Sequence, residues 1–279
     1  MRYVRVETEA ELLEALDRDG AHLLSGGTDL LVKMRSGLVR PKSLVDPARV
    51  AALRGIEGNG KSLWIGAATP FAEILASKEV AARAPLLADV VRVLGCVQIR
   101  NRGTLGGNLA NASPAADSAV PLLLYEAAVE LRGGSGARSV PIGDFFLAPG
   151  RTVLGHGEYI RGVSIPVSRG DWIPFFHKVG RRRALTIAIA SVGGLTSVSN
   201  GKAVDVRLAA GSVAPVPLRL KSVERAVAGQ ALDDAVIARA RALAAKEVSP
   251  IDDVRATAHY RREVTADLVA RALERARAT

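Results

Sequence analysis

Cysteine is almost absent from this chain of 279 residues, because Cys96 is the only one. A single cysteine excludes an internal disulfide, and it excludes an iron–sulfur cluster held only by thiolates of this chain. The four histidines (His22, His156, His177 and His259) are scattered without the spacing of metal ligands, so no zinc site is expected. No group of side chains indicates a catalytic triad either. Chemistry by the chain's own thiols or by a bound zinc ion is therefore not indicated.

Aromatic residues are also scarce, at 4% of the chain, although the net charge is +10. A basic surface of this size can bind nucleic acid, but the aromatic side chains that stack on exposed bases are few here. An arginine-rich surface exposed to solvent explains the charge most simply. Docking onto an acidic partner subunit explains it as well, and the charge alone does not separate these interpretations.

Long apolar runs are missing too. None approaches the roughly 20 residues that a membrane-spanning helix needs. The first residues also lack the apolar core of a secretory signal peptide. We therefore expect no membrane span and a cytoplasmic location.

Glycine, by contrast, is concentrated in one polar stretch, residues 98–118, which contains a diglycine at 106–107. Glycine lets the backbone come close to a ligand. Thr104 and Asn108 add short hydrogen-bonding side chains, and Asp117 adds a carboxylate ahead of an apolar run. A simpler interpretation is a polar loop before a helix that holds Asp117 in its first turn. The paired glycines favour a backbone that contacts a flat, polar ligand.

A second diglycine, Gly26-Gly27, follows a predicted buried strand that begins at Ala21 and precedes a predicted helix with Leu30 in its apolar stripe. Successive backbone N–H groups at such a turn, together with a helix start, can face a phosphate. A lone diglycine is weak support, because the chain here lacks the GxGxxG pattern and the Lys-Ser/Thr pair of a P-loop.

The rest of the pattern predicts a chain of mixed strands and helices. Thr8 and Glu11 predict a capping box at the first helix, and Asn59-Gly60 predicts a hairpin turn. The boundary between two domains is placed in the polar segment 166–171. Further strands are predicted at 1–6, 44–47, 53–56, 63–67, 128–132, 139–142, 158–166, 173–179, 188–199 and 204–211, with helices from about residue 218 onward.

Two motifs together carry a family resemblance. Ser25-Gly26-Gly27-Thr28-Asp29-Leu30 and Thr104-Leu105-Gly106-Gly107-Asn108, followed by Asp117, resemble the FAD-binding medium subunit of the molybdenum hydroxylases. This is the xanthine dehydrogenase and aerobic carbon monoxide dehydrogenase family, and the resemblance covers essentially the whole chain. It implies an α+β fold. An FAD-binding domain of two α/β subdomains (about 1–55 and 56–168) would precede a C-terminal domain at 169–279, with a three-stranded antiparallel sheet and a helical bundle.

The resemblance also implies which residues bind FAD. The first motif would wrap the pyrophosphate and ribose through its backbone amides, and the second would hold the diphosphate side and the ribityl chain. Asp117 would bond to the flavin or ribityl region, and Lys178 would reach the isoalloxazine ring. The complete implied set is Leu23, Leu24, Ser25, Gly26, Gly27, Thr28, Asp29, Leu30, Ala67, Thr69, Leu94, Gly95, Thr104, Gly106, Gly107, Asn108, Asp117, Ile160, Phe176 and Lys178.

As a function, the resemblance implies an electron-transfer subunit of an oxidoreductase. Electrons would pass from the 2Fe–2S clusters of a small partner subunit through FAD to NAD⁺, O₂ or a quinone. A large molybdopterin subunit would complete the complex, as a dimer of heterotrimers. One departure is Thr186, where family members commonly carry Asp. Two alternatives remain, a stand-alone flavin reductase of the UDP-N-acetylenolpyruvoylglucosamine reductase type, and a flavin-free basic assembly or nucleic-acid-binding protein.

Overall fold

The computed structural model describes residues 1–167, 170–182 and 185–279. Its strands are β1 (Arg2–Arg5), β2 (Ala21–Leu23), β3 (Ser43–Asp46), β4 (Ile56–Asn59), β5 (Ser62–Gly66), β6 (Ala128–Gly133), β7 (Gly136–Pro141), β8 (Phe146–Ala148), β9 (Arg151–Thr152), β10 (Tyr159–Pro166), β11 (Ile173–Val179), β12 (Ala190–Ser199), β13 (Lys202–Gly211) and β14 (Leu218–Arg219). Its α-helices are α1 (Glu9–Leu16), α2 (Leu30–Arg35), α3 (Phe71–Ala76), α4 (Lys78–Arg83), α5 (Pro85–Arg92), α6 (Val97–Arg102), α7 (Leu105–Ala110), α8 (Ala119–Leu124), α9 (Ile142–Phe145), α10 (Lys221–Val227), α11 (Asp234–Glu247) and α12 (Ala258–Arg277). The predicted boundary between residues 168 and 169 lies outside the described residues and stays a prediction.

The first sheet is small and parallel, in the order β1-β3-β2. Helix α1 covers it and buries Leu12 and Leu16 against Val45. Thr8 begins this helix, because its side chain accepts a hydrogen bond from the N–H of Glu11 at 3.2 Å. In a capping box the Glu11 carboxylate would accept a hydrogen bond from the N–H of Thr8, but here it accepts from the N–H of Glu7. The predicted capping box therefore forms with one of its two hydrogen bonds moved by one residue.

The second sheet has five antiparallel strands in the order β4-β5-β10-β6-β7. Alternate residues of its strands, such as Leu63, Ile65 and Val163, are fully buried in the largest core cluster. The predicted strand 53–56 is wrong. Residues 51–53 form a 3₁₀ turn that buries Leu53, and β4 starts only at Ile56, because Gly55 has a φ of +121° that interrupts the extended run.

The third sheet confirms the predicted antiparallel meander, in the order β11-β12-β13-β14. The predicted sheet had three strands, and the observed sheet has a fourth, β14, which is only two residues long. Helices α10 and α12 pack against this sheet, helix α11 packs against α10 and α12, and α8 contacts β12 at Gly193. In the described ranges, no helix is long and apolar enough to cross a membrane.

The central polar stretch folds differently from the loop interpretation. Its diglycine lies inside a helix, α7, because the Thr104 hydroxyl accepts a hydrogen bond from the N–H of Gly107 and caps the first turn. Asp117 is not in the first turn of the next helix. That helix, α8, begins at Ala119 with Ser118 as its N-cap, so the macrodipole does not account for the Asp117 carboxylate.

Gly106 should be replaceable only at a cost in stability. A Cβ at this position would lie 2.5 Å from the Cβ of Ala67 and 2.8 Å from its carbonyl oxygen, which is too close for any atom. We expect Gly106→Ala to lower the free energy of unfolding by about 1–3 kcal/mol, since helix α7 must move away from Ala67, the residue after β5. Urea denaturation of the full chain measures it.

Gly143→Ala is the matched control, because a Cβ in that helix would meet only Leu123 at 4.0 Å. It should be neutral or stabilising by up to about 1 kcal/mol, as alanine favours a helix over glycine. Equal effects of the two substitutions would contradict the packing argument.

Candidate functional site

The two glycine-rich motifs, far apart in sequence, are in direct contact. The hydroxyls of Ser25 and Thr104 are 2.8 Å apart and form a hydrogen bond. The backbone at Gly26 lies against the carbonyl group of Arg102, where a Cβ would be 2.1 Å from the oxygen. Glycine is therefore required at position 26 for the two chain segments to meet.

The first motif presents a row of free donors. Between the end of β2 and the start of α2, none of the six backbone N–H groups from Ser25 to Leu30 donates a hydrogen bond to any part of the chain that the structure describes. Buried or half-buried N–H groups are normally paired. Six consecutive unpaired groups on a turn containing a positive-φ glycine, Gly27, are a cradle for an anion such as a phosphate.

The second motif is built differently, because its N–H groups are already used. Leu105 donates to the carbonyl of Thr69 at 3.2 Å, and Gly106 donates to the carbonyl of Ala67 at 2.9 Å. Gly107 donates to the Thr104 hydroxyl at 3.1 Å. This motif therefore contributes a flat wall and close packing, and the donors come from the first motif.

A cavity of about 330 Å³ lies between the motifs. Most of the sequence-predicted FAD contacts line it, namely Leu23, Ser25, Gly26, Gly27, Thr28, Asp29, Leu30, Ala67, Leu94, Thr104, Gly106, Gly107, Asn108 and Ile160. Apolar side chains, including Pro47 and Leu154, form much of its remaining wall. A concave, largely apolar space with a few convergent polar groups is the usual form of a cofactor site.

A second cavity of about 340 Å³ adjoins the first. It contains the predicted residues Gly95 and Asp117, together with Cys96 and the loop residues Leu185, Thr186 and Ile187. The two cavities share the wall residues Asp29, Leu94, Ile99, Asn108 and Asn111. The two cavities therefore adjoin in one site, and the turn with the free N–H groups lines the first of them.

Asp117 and Lys178 form a buried ion pair beside the second cavity. The Asp117 Oδ2 accepts a hydrogen bond from the Lys178 Nζ at 2.5 Å, and both side chains are more than nine-tenths buried. The Lys178 Nζ also donates to the carbonyl of Val93 at 3.3 Å. Burial raises the pKa of the Asp117 carboxyl, and the neighbouring ammonium of Lys178 opposes that shift.

One oxygen of this carboxylate, Asp117 Oδ1, is buried with no hydrogen-bond partner among the described residues. An unpaired buried carboxylate oxygen costs free energy unless a ligand donates to it. Asn108, on the shared wall, accepts from the Ser118 hydroxyl at 2.7 Å through its Oδ1 and keeps its amide N–H₂ group. A ligand with hydroxyl or N–H donors and carbonyl acceptors fits these two side chains.

Four predicted contacts line neither cavity. Thr69 is fully buried and exchanges two hydrogen bonds with the backbone of Gly55. Leu24 is tied to β3 through its N–H, and Phe176 packs against the main core. Lys178 reaches the second cavity only through Asp117. Direct contact of these four residues with FAD stays a prediction.

The sequence prediction omitted five polar wall residues of the first cavity: His22, Lys33, Asn111, Glu158 and Tyr159. Tyr159 precedes the predicted Ile160 and donates a hydrogen bond to the Glu9 carboxylate at 2.7 Å. Lys33 follows Asp29 by four residues, which places both on one face of a helix, and this spacing was the available signal. Across the described ranges, no group of three His, Cys, Asp or Glu side chains is arranged to hold a metal.

Comparison with known families matches almost the whole chain. Residues 1–168 match the FAD binding domain in molybdopterin dehydrogenase, and residues 175–276 match the CO dehydrogenase flavoprotein C-terminal domain. The chain is similar to the glyceraldehyde dehydrogenase medium chain of Sulfolobus acidocaldarius, with 33% identity over 98% of this chain and 96% of the relative. It is also similar to the xanthine dehydrogenase FAD-binding subunit of Escherichia coli, with 32% identity over 93% of this chain and 90% of the relative.

Solved structures agree with this result. The fold matches a carbon monoxide dehydrogenase chain from Hydrogenophaga pseudoflava with a TM-score of 0.96 and 31% identity, covering 100% of this chain and 97% of that one. It matches a chain of quinoline 2-oxidoreductase from Pseudomonas putida with a TM-score of 0.94 and 26% identity, again covering 100% of this chain and 97% of that one.

Fold and site together define an FAD-binding subunit of an oxidoreductase. More particularly, the chain belongs to the FAD-binding medium subunits of the molybdenum hydroxylase family, which confirms the resemblance seen in the sequence. FAD is the cofactor of this class, and the donor cradle and the orphaned carboxylate oxygen fit its phosphates and its polar ring or ribityl edge. Neither alternative, the stand-alone reductase or the flavin-free basic protein, is favoured.

The buried ion pair predicts a pH-dependent loss of stability. Lys178→Met leaves the Asp117 carboxylate buried without a partner, which should lower the free energy of unfolding by about 3–5 kcal/mol at neutral pH. Removing Lys178 raises the already raised pKa of Asp117 further. In the variant, the folded state then binds the Asp117 proton more tightly than the unfolded state does. The loss of stability is therefore complete at a pH above the folded-state pKa of Asp117. It shrinks as pH falls toward the ordinary aspartate value.

Urea denaturation of wild type and variant over a pH series measures this difference. Lys202→Met on the exposed end of β13 is the control and should show no deficit. A deficit of Lys178→Met that stayed constant with pH would show that the ion pair is not its origin.

Proposed function

We propose that this chain passes electrons from the 2Fe–2S clusters of a partner subunit through FAD to NAD⁺, O₂ or a quinone. The observation that carries the proposal is the pairing of an anion cradle in the first cavity with a buried, half-satisfied carboxylate in the second. FAD has both features, because its central diphosphate is joined through the ribityl chain to a ring with polar edges. The relatives, named as dehydrogenase medium chains and FAD-binding subunits, support the same reading.

In this proposal the residues of each cavity have separate tasks. The N–H groups from Ser25 to Leu30 bind the phosphate oxygens. Asn108 orients the ribityl chain, and the Asp117 Oδ1 accepts a hydrogen bond from a hydroxyl or ring N–H. Lys178 opposes the rise that burial causes in the pKa of that carboxyl. When bound, FAD supplies the capacity to exchange one or two electrons with different partners.

We also propose the partners that the resemblance implies, a small iron–sulfur subunit and a large molybdopterin subunit in a dimer of heterotrimers. The support is the printed names of the relatives, which are medium chains of dehydrogenases. The exposed apolar side chains of Val97, Leu185 and Ile187 lie at or next to the second cavity, where a partner would approach the flavin. The domain division after residue 168 and a cytoplasmic location belong to the same proposal.

The cofactor placement is tested by Gly107→Val. The Cβ of this residue would lie 3.0 Å from the Thr104 hydroxyl and 3.8 Å from Ser25, so its branches would enter the cavity between the motifs. We expect the variant to fold but to lose bound flavin, because the valine side chain occupies ligand space. The flavin content of the purified chain, read from its absorbance spectrum, and circular dichroism measure the two effects.

Gly134→Val is the control, because a Cβ there has no atom within 4 Å and lies outside both cavities. It should keep wild-type flavin content. Stoichiometric FAD in folded Gly107→Val would overturn the placement of the cofactor between the motifs.

The electron-transfer role is tested in the assembled enzyme. We expect the chain to co-purify with two further subunits, and the flavin band of the complex to bleach anaerobically when a substrate of the large subunit is added. A complex whose clusters are reduced while its flavin band stays oxidised would contradict the proposed path.

A further inference from the structure

Lys33 lies on the wall of the first cavity and belongs to no motif discussed so far. It is placed in the second half of α2, one turn after the last N–H groups of the anion cradle, and is half-buried. Its Nζ donates a hydrogen bond to the Asn111 Oδ1 at 2.5 Å. Asn111 is the C-cap of α7, so this bond joins the helix that follows the first motif to the helix that holds the second.

The charges around the cavity make Lys33 distinctive. Four side chains of its wall are of acidic or basic residue types, namely His22, Asp29, Lys33 and Glu158. Arg138 neutralises Glu158 through two hydrogen bonds of 2.8 and 2.7 Å. Asp29 adds a negative charge beside the cradle. Among the described wall residues, Lys33 is therefore the one lysine or arginine that can oppose a negative ligand.

A diphosphate needs such a charge more than a neutral ligand does. It carries two negative charges, and the cradle offers only neutral N–H donors, so binding would otherwise bring the ligand next to Asp29 without a counter-charge. A hydrogen bond from an ammonium to a phosphate oxygen is roughly twice as strong as one from a neutral donor.

Asn111 holds the ammonium in place for this task. A free lysine side chain loses rotamer entropy when it is fixed on a ligand. Here the hydrogen bond to Asn111 fixes the side chain beforehand, and an ammonium has three donors, so two remain for phosphate oxygens. An amide oxygen fixes the lysine without cancelling its charge, as a carboxylate would.

We propose that Lys33 binds the diphosphate of FAD as its counter-charge, with Asn111 as the positioning residue. The inference rests on the proposed function, in which the first cavity takes the diphosphate. It adds a side-chain ligand to a site otherwise formed by backbone amides, and it makes the affinity for FAD depend on ionic strength.

Titration of FAD into the flavin-depleted full chain, followed by quenching of flavin fluorescence, tests this at low and at high salt. We expect Lys33→Met to weaken FAD binding about 10- to 100-fold at low salt, the range typical for hydrogen bonds to charged groups. Lys33→Arg should retain most of the affinity, since it keeps the charge. Lys61→Met, at an exposed hairpin turn, should bind as wild type. Added salt should weaken wild type more than Lys33→Met.

Each outcome has a distinct meaning. If Lys33→Met bound FAD with the affinity and salt dependence of wild type, the proposed role of Lys33 would be wrong. The proposed binding of the diphosphate by backbone N–H groups would still stand. Equal losses in Lys33→Met and Lys33→Arg, with an unchanged salt dependence, would also overturn it by showing a packing effect. A wild-type chain that binds no FAD would instead contradict the proposed function itself.

Discussion

The whole site depends on one close approach, that of the backbone at Gly26 to the carbonyl of Arg102. No side chain of any size fits between them, since even a Cβ would lie 2.1 Å from the oxygen. The hydrogen bond between Ser25 and Thr104 joins the same two segments at 2.8 Å. The turn after β2 lies at this contact, its residues line the first cavity, and its N–H groups donate to no part of the chain that the structure describes.

A second constraint joins the opposite end of the site to the rest of the fold. Lys178 lies on β11 of the third sheet, whereas Asp117 precedes α8, which packs on β12 at Gly193. Their ion pair places a buried charge where the second cavity meets that sheet. Buried ion pairs contribute little net stability, because the desolvation cost offsets the attraction. Its presence beside an unpaired carboxylate oxygen is better explained by ligand binding than by stability.

Much of this arrangement could be predicted from the sequence. The meander from β11 to β13 and the helices after residue 218 follow from alternation and helical spacing, and the two glycine motifs identified the family. The sequence did not show that Gly106-Gly107 lies in a helix, because a threonine cap outweighs the low helix propensity of two glycines. It also did not show that Leu53 lies at the end of a 3₁₀ turn instead of in a strand. Tertiary contacts bury Leu53 there, and such contacts override the local preference for a strand.

The sequence could not predict which of the two motifs keeps its backbone N–H groups free. Both motifs contain a diglycine, yet the amides of the second are paired with Thr69, Ala67 and Thr104, while those of the first are free. Which N–H groups remain available depends on contacts between segments about 80 residues apart in the chain, and no local pattern records them. The same holds for Lys33, whose partner Asn111 lies on another helix.

Amide hydrogen exchange of the full chain, with and without FAD, shows whether the turn after β2 binds the diphosphate. We expect strong new protection of the amides from Ser25 to Leu30 when FAD binds. The amides of Leu105, Gly106 and Gly107 should change little, because they are already hydrogen-bonded within the protein. Saturation with FAD that left the amides of Ser25 to Leu30 exchanging as in the free chain would show that this turn does not bind the diphosphate.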